Sequence, residues 1–353
     1  MNPDRVLESF LEMVAIESPS WHEAPMAAYC AEKLAEMGFT VTFDASAAET
    51  GSDTGNLIAH LPGTVPGRIG FSAHLDTVKP CAGIEAVIEQ RHICDDITCR
   101  MAEVVCSAGE TILSADDKAG IAAIFEGLRS VLESGTPRPD ITVLLTTCEE
   151  QSLLGAGALV DDALAWPENP PAATPEAERD GRFPLFVLDA DGAPGTIIMG
   201  APYHWTLRAR IEGGVAVNIV PAVVTLMGEC RSLYEDRVLA QRDAMTRALE
   251  EAAARFGGQV EVAWELDYPA VVHEPGDAIV AHLEVAAATC SLESRHATSG
   301  GGADANILGT KGADAITLGI GMTNFHSVDE YIEVADLQNM ARYVEAIIAE
   351  YAG

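Results

Sequence analysis

RIGFSAHLDTV (68–78) and ITVLLTTCEE (141–150) are the two stretches that decide the fold. Each is a short apolar run that ends abruptly in reactive side chains, His74 and Asp76 after the first and Glu149 and Glu150 after the second. Runs that are apolar at consecutive positions are expected for strands covered on both faces, as in a parallel sheet. PLFVL (184–188) ends in Asp189, and DAITLGIG (314–321) leads into NFHSVDEY with His326. Helical patterns lie between and around these strands. Val6, Phe10, Leu11 and Val14 mark one apolar stripe, and Met26, Tyr29, Cys30, Leu34 and Met37 mark another that stops at Gly38. Ser114 is expected to cap a helix with Ile121, Ile124, Phe125, Leu128, Val131 and Leu132 on one face. The alternation predicts an α/β domain, a largely parallel mixed sheet flanked by helices.

ENPPAATPEAERDGRFP (168–184) is rich in Pro, Ala and charge and is expected to be a surface loop. From Trp205 to about Ala270 the rhythm changes. TLRARI, VVTLMGECR and VEVAWELDY read as strands, and a helix carrying Leu233, Val238, Leu239, Met245 and Leu249 stops at Gly257-Gly258. This is a small inserted α+β unit. The expected division is one domain over 1–204 and 271–353 and an insertion over 205–270, in keeping with two domains for 353 residues.

The chain has 54 acidic and 21 basic residues, a formal net charge of -33. Nucleic acid and anionic membrane both need a basic face, so neither is expected as a partner. The acid excess fits an ordinary acidic enzyme or one adapted to salt. The start, MNPDRVLESFLEM, is charged and amphipathic and lacks the basic-then-apolar order of a signal peptide. No apolar stretch reaches the ~18 residues that a membrane span needs. The expected location is therefore the cytoplasm, where the eight cysteines should be free thiols. Cys81, Cys94, Cys99 and Cys106 form one cluster, which leaves a structural metal or a disulfide open.

Ligands of open parallel sheets gather beyond the carboxyl ends of the strands, and the candidate residues fall there. His74 is a candidate metal ligand and Asp76 a partner for its second ring nitrogen, although a lone HxD also occurs in surface loops. Asp116 and Asp117 open a helix, where acidic residues are common; a carboxylate at that point can also give one oxygen to each of two cations. Adjacent Glu149 and Glu150 would repel one another unless one binds metal and the other acts as a base. Asp189 and His326 complete the set. Metal binding is expected from this convergence by topology.

The chain resembles the dinuclear zinc metallopeptidases that include peptidase T, carboxypeptidase G and the aminoacylases. The resemblance is carried by IESPSWHE, GNLIAHLPG, SAHLDTV, SADDKAGIA, CEEQSLLGA, VLDADG, NIVP, GECRS, SGGGADANIL and HSVDEY over the full length, with the peptidase T-like branch favoured by DDKAG and GGGADAN. It implies a zinc-peptidase-like catalytic domain with a small lid domain. It implies two divalent ions per chain, zinc with cobalt or manganese as substitutes. His74 and Asp189 would bind one ion, Glu150 and His326 the other, and Asp116 both, with a cis bond to Asp117. Glu149 would be the general base and Asp76 would orient His74. Asn218, Arg231, Gly301, Gly302 and Ala303 match residues that hold the substrate.

One departure stands out. Lids of this family carry a His-Ala-Gly and a helix before the GG-x-x-x-N-I-V-P segment, whereas here TLRAR runs almost directly into IEGGVAVNIVP. The lid His and the helix of the usual dimer are missing, and His204 lies at the other end of its strand. The leading expectation is an aminopeptidase acting on short peptides. The alternatives are an N-acyl amino acid deacylase and a metal-binding homologue with weak turnover. The expected assembly is a monomer or an atypical homodimer.

Overall fold

The computed structural model describes residues 1–94, 99–160, 164, 182–212 and 223–353. The expected loop at 168–184 lies outside them as far as residue 181. Two compact units are present: Met1–Met199 with His273–Ala297 and Ala303–Gly353, and Gly200–Val272 with Thr298–Gly302.

The first unit contains strands β1 (Thr40–Phe43), β2 (Leu57–Leu61), β3 (Arg68–His74), β4 (Ala86–Cys94), β5 (Cys99–Ser107), β6 (Asp140–Thr146) and β7 (Phe183–Asp191). It continues with the start of β8 (Thr196–Ala201). Its helices begin with α1 (Pro3–Val14), α2 (Ala24–Glu36), α3 (Ala47–Thr50), α4 (Ala115–Ser134) and α5 (Leu154–Ala158). The second unit holds β9 (Tyr203–Glu212), β10 (Val223–Ser232), α6 (Glu235–Arg255), β11 (Gln259–Tyr268) and β12 (Val271–Val272). Then follow α7 (Ala278–Thr289), β13 (Arg295–Thr298), α8 (Ala305–Leu308), β14 (Ala313–Thr323), β15 (Tyr331–Glu333) and α9 (Val334–Glu350).

The main sheet runs β1-β2-β6-β3-β7-β14-β15-β5-β4. Its centre, β6, β3, β7 and β14, is parallel, and β2 and β15 flank it antiparallel. This is the mixed α/β sheet expected from the consecutive apolar runs. Alternate residues of one strand feed two cores. Ile141, Val143, Leu145, Phe186 and Leu188 pack with α1, α4, α7 and α9, whereas Leu144, Phe183, Leu185 and Val187 pack with Ala156, Ala305 and Leu308 from α5 and α8. Both faces of each strand are dry, so neither shows hydrophobic alternation in sequence. Gly120 brings α4 against β7: a Cβ there would collide with the Leu188 carbonyl, one residue from Asp189.

In the second unit, β10-β9-β11 form an antiparallel sheet. α6 lies on it through Val238, Ala253 and the bond from the Trp264 indole to Thr246 Oγ1 at 2.9 Å. Leu233, expected within this helix, precedes it, because the helix starts at Glu235.

Two further expectations are corrected. Ser114 occupies the cap position of α4, but with φ +65° its hydroxyl has no partner. The cap is supplied by Glu330, described below. Cys94 and Cys99 are not free thiols: they are register partners at the end of the β4–β5 hairpin and form a disulfide, with Cα atoms 4.1 Å apart. Cys30, Cys81, Cys106, Cys148, Cys230 and Cys290 are free. Among the described residues no helix is long and apolar enough to cross a membrane.

Phe186 is fully buried at the middle of β7, its ring 5.5 Å from that of Phe71. Phe186→Ala is expected to lower unfolding stability by ~3–5 kcal/mol, measured by urea denaturation. A loss below ~1 kcal/mol would contradict this account of the core.

Candidate metal centre

Parallel strands share a direction, so β3, β6, β7 and β14 all deliver the residues at or beyond their carboxyl ends to one edge of the sheet. His74 ends β3 in register with Thr146 of β6. Glu149 and Glu150 follow β6, Asp189 lies near the end of β7, and His326 sits in the turn after β14. α4 adds Asp116 across this edge.

These side chains form two groups in which the candidate ligand atoms lie within 4.8 Å of one another: His74, Asp116 and Asp189, and Asp116, Glu150 and His326. His74 Nε2 is 2.8 Å from Asp116 Oδ1 and 3.6 Å from Asp189 Oδ1. His326 Nε2 is 3.2 Å from Asp116 Oδ2 and 2.9 Å from Glu150 Oε1. The two oxygens of Asp116 thus face different imidazoles. The Asp116–Asp117 bond is cis. Asp117 belongs to neither group; its Oδ2 accepts the His74 backbone N–H at 3.1 Å.

The turns that carry these residues are held by other buried carboxylates. Asp76 accepts the Glu149 N–H at 2.9 Å, the Glu150 N–H at 3.3 Å and the Ser20 hydroxyl at 2.7 Å. His74 Nδ1 lies closer to the Asp76 backbone carbonyl, at 2.9 Å, than to its carboxylate, at 3.4 Å. Glu23 accepts the Cys148 N–H at 3.0 Å, placing the residue before Glu149. Glu330 accepts the N–H groups of Leu113, Ser114 and Asp116. Lys118 donates to the Ile16 carbonyl at 2.7 Å. Glu23 and Glu330 lie in IESPSWHE and HSVDEY, where nothing in the sequence marks either as a support for the site. Composition does not distinguish a buried glutamate from a solvated one.

The electrostatics reflect crowding. Burial pushes the carboxyl groups of Asp117 and Glu149 well above the usual range, and raises Glu150 and Asp189 as well. Burial raises Asp304, which accepts a hydrogen bond from Thr146, to about 7. Burial also pushes Asp116 upward, but its bonds to His326 and His74 outweigh that and hold it below the ordinary range. His326 is raised to about 10 by Asp116 and then Glu150. Burial disfavours a charged His74, yet Asp116, Asp189 and Asp76 raise it well above its usual value.

Of the residues expected to hold substrate, Asn218 lies outside the described residues. Arg231, in the second unit, donates to the Gly300 carbonyl at 3.1 Å and to Glu229 at 3.0 Å, and Glu229 also meets His204 Nε2 at 2.9 Å. Gly301 and Gly302, in the same unit, donate to Ser299 Oγ and the Tyr268 hydroxyl, each at 3.0 Å. Ala303, in the first unit, is buried and donates to Asn306 Oδ1 at 3.1 Å.

These shifts fix a pH dependence for the chain held in chelator. The raised acids and raised histidines keep protons in the folded state that the unfolded chain releases, so stability falls as pH rises. Asp116 acts in the opposite sense, but its contribution is lost only below about pH 4. The melting temperature in chelator is expected to fall between about pH 5 and pH 8. Added divalent ions, which favour deprotonated ligands, should flatten or reverse the slope. A melting temperature that rises across this interval in chelator would contradict the arrangement.

The profile of peptidase family M20/M25/M40 matches residues 114–350. The uncharacterized protein YqjE of Bacillus subtilis (strain 168) is 32% identical over 397 aligned residues, covering 100% of both chains. Peptidase T of Escherichia coli (strain SE11) is 26% identical, covering 98% of this chain and 97% of its own. The structure of aminopeptidase PepT from Bacillus cereus ATCC 10987 superposes with a TM-score of 0.84 at 30% identity, covering 100% of both chains. A tripeptidase from Staphylococcus aureus subsp. aureus Mu50 superposes with a TM-score of 0.84 at 28% identity, covering 100% of this chain and 99% of its own. With the family profile matched over most of its length and a full-length relative at 32% identity, the chain belongs to peptidase family M20/M25/M40.

Proposed function

We propose that this chain is a cytoplasmic dinuclear metallo-aminopeptidase of the peptidase T type, acting on short peptides such as tripeptides. The observation that carries the reading is Asp116, whose two oxygens each face a separate His–carboxylate group. The donor set fits divalent ions: three carboxylates and two imidazoles, with burial raising Glu150 and Asp189 while the two imidazoles hold Asp116 low. His74 and Asp189 would hold one ion, Glu150 and His326 the other, and Asp116 both. Imidazole with carboxylate suits zinc, and cobalt or manganese should substitute. Bound there, the pair of ions supplies Lewis acidity, polarising the scissile carbonyl and lowering the pKa of water.

The protein's own groups do the rest. Glu149 makes no side-chain hydrogen bond among those described and stands beside Glu150. It takes the proton of the attacking water and passes it to the leaving amine. Asp76 fixes the backbone of both glutamates and contacts His74. The residues 205–270 act as the lid on a catalytic domain of 1–204 and 271–353, with Arg231, Asn218, Gly301, Gly302 and Ala303 gripping the substrate. The full-length relatives named for peptide substrates support this reading over N-acyl amino acid deacylation. The absent lid His removes one donor to the tetrahedral intermediate, a loss of ~10²–10³ in rate where it is not replaced. The five buried free thiols fit a reducing compartment.

Turnover of a tripeptide panel by the ion-loaded protein, exceeding that of N-acyl amino acids, is the expected result; the reverse preference would overturn the aminopeptidase reading. Glu149→Gln should keep fold and bound ions and lose ~10²–10⁴ in kcat. A near-normal kcat would remove Glu149 as the base.

Assembly follows the lid edge. Among the described residues β10 is an edge strand with Val223, Val224, Leu226 and Met227 exposed and no lysine on it. Unguarded edges pair, so the chain is a monomer or a dimer joined through β10. Analytical ultracentrifugation should show a monomer, or a dimer abolished by Met227→Lys with Leu226→Lys. A dimer indifferent to both changes would refute this.

A further inference from the structure

Glu330 has no part in the reaction just described, yet it is 1% exposed and takes three backbone N–H groups from a distant segment. Its Oε2 accepts from Leu113 at 2.7 Å and Ser114 at 2.9 Å, and its Oε1 accepts from Asp116 at 3.1 Å. The segment needs an outside acceptor. Asp116 (φ -77°, ψ 101°) and Asp117 (φ -122°, ψ 30°) are not helical, so α4 does not order them by its own hydrogen bonds, and the Ser114 hydroxyl bonds nothing.

At its other end Glu330 belongs to the turn that carries His326. That turn is closed on itself: Ser327 Oγ donates to the Asn324 carbonyl at 2.7 Å and the Glu330 N–H to the Ser327 carbonyl at 3.2 Å. It then passes into β15, which is paired on both sides, with β14 and with β5. One carboxylate therefore joins the turn of Asp116 to the turn of His326. By contrast, His74 and Asp189 stand on β3 and β7, strands held by the sheet ladder itself.

We propose that Glu330 is a positioning residue for one half of the centre, holding Asp116 and His326 at the spacing that the Asp116–Glu150–His326 group needs. This deepens the dinuclear reading and rests on it. A carboxylate is required because all three partners are donors: it is acceptor-only, whereas an amide would turn an N–H₂ toward one of the N–H groups. Loss of such a supporting group typically weakens metal affinity ~10–100-fold. The loss should fall mainly on the His326 ion, for which Glu330 sets both Asp116 and His326; the other ion shares only Asp116, and its His74 and Asp189 stand on the sheet ladder.

The test is a titration of metal-free protein with Co²⁺, followed by calorimetry and by the visible spectrum of the bound ion. In Glu330→Gln the tighter or looser step assigned to the His326 side should weaken ~10–100-fold, while the other step, which shares only Asp116, weakens by a clearly smaller factor. Assignment comes from His326→Ala, which should remove the same step. Glu126→Gln is the control for a purely structural carboxylate: Glu126 is buried in α4, the helix that follows the Asp116 turn, and accepts from Asn2 and Arg5. It should lower the melting temperature and leave both steps unchanged. If Glu330→Gln does not fold, Glu330→Asp keeps the charge with a shorter reach and should show the same uneven loss in smaller degree. Unchanged affinities, or equal weakening of both steps, in whichever variant folds would overturn the proposal. Wild-type protein that binds fewer than two ions would instead overturn the dinuclear reading itself.

Discussion

The constraint on which the structure depends is the packing of many carboxylates into one corner around a buried imidazole, His74, and an exposed one, His326. Asp76, Asp116, Asp117 and Asp304 are buried together at the carboxyl edge of the sheet, with Glu149, Glu150 and Asp189 beside them. Like charges in a low-dielectric setting cannot all ionise without compensation. The chain answers in two ways. Some of the acids spend their charge on backbone N–H groups, as Asp76 does for Glu149 and Glu150 and Glu330 does for the Asp116 turn. Asp116, Asp189 and Glu150 converge on His74 and His326, where a cation is the natural counter-charge. The parallel centre of the sheet exists in service of this arrangement, because only parallel neighbours end on the same side.

How much of this could be read from sequence follows from what sequence encodes directly. Apolar runs ending in His74, Glu149–Glu150 and Asp189 were legible as buried strands with chemistry at their ends, since continuous burial leaves a continuous signature. Convergence was legible too, because parallel topology collects strand ends whatever their separation along the chain. Partnership between a side chain and a distant backbone was not. Ser114 has the composition of a cap, but Glu330 takes the N–H groups a cap would take. Asp76 looked like a partner for His74, yet most of its hydrogen bonds are to the following glutamates and Ser20. The Cys94–Cys99 disulfide depended on hairpin register, which the spacing of two cysteines does not give.

The second unit shows a different balance between local and distant information. Its strands and helix were visible because one face of each is wet, which restores alternation in β9 and β11. β10 breaks the pattern: its first six residues are mostly exposed on both faces although four are large and apolar. A strand of that composition at an edge is the least self-sufficient element described in the fold. Natural edges are usually blunted by charge, proline or a bulge, and none of these interrupts Val223–Met227.

The bonds that hold the turns of Glu149 and Asp116 span 125 residues from Glu23 to Cys148 and 217 from Glu330 to Leu113. Contacts of such separation form late, because loop closure is unfavourable until the intervening chain is ordered. Synthesis runs from the amino terminus, so β3, α4, β6 and β7, with His74, Asp116 and Asp189, leave the ribosome before His326 and Glu330 have been made, and the domain folds as a unit. During that interval the edge lacks one imidazole and the lock on the Asp116 turn. On the proposed dinuclear reading, a nascent copy of this chain has no finished site with which to cut the peptides around it, and competence arrives only with the turn that follows β14.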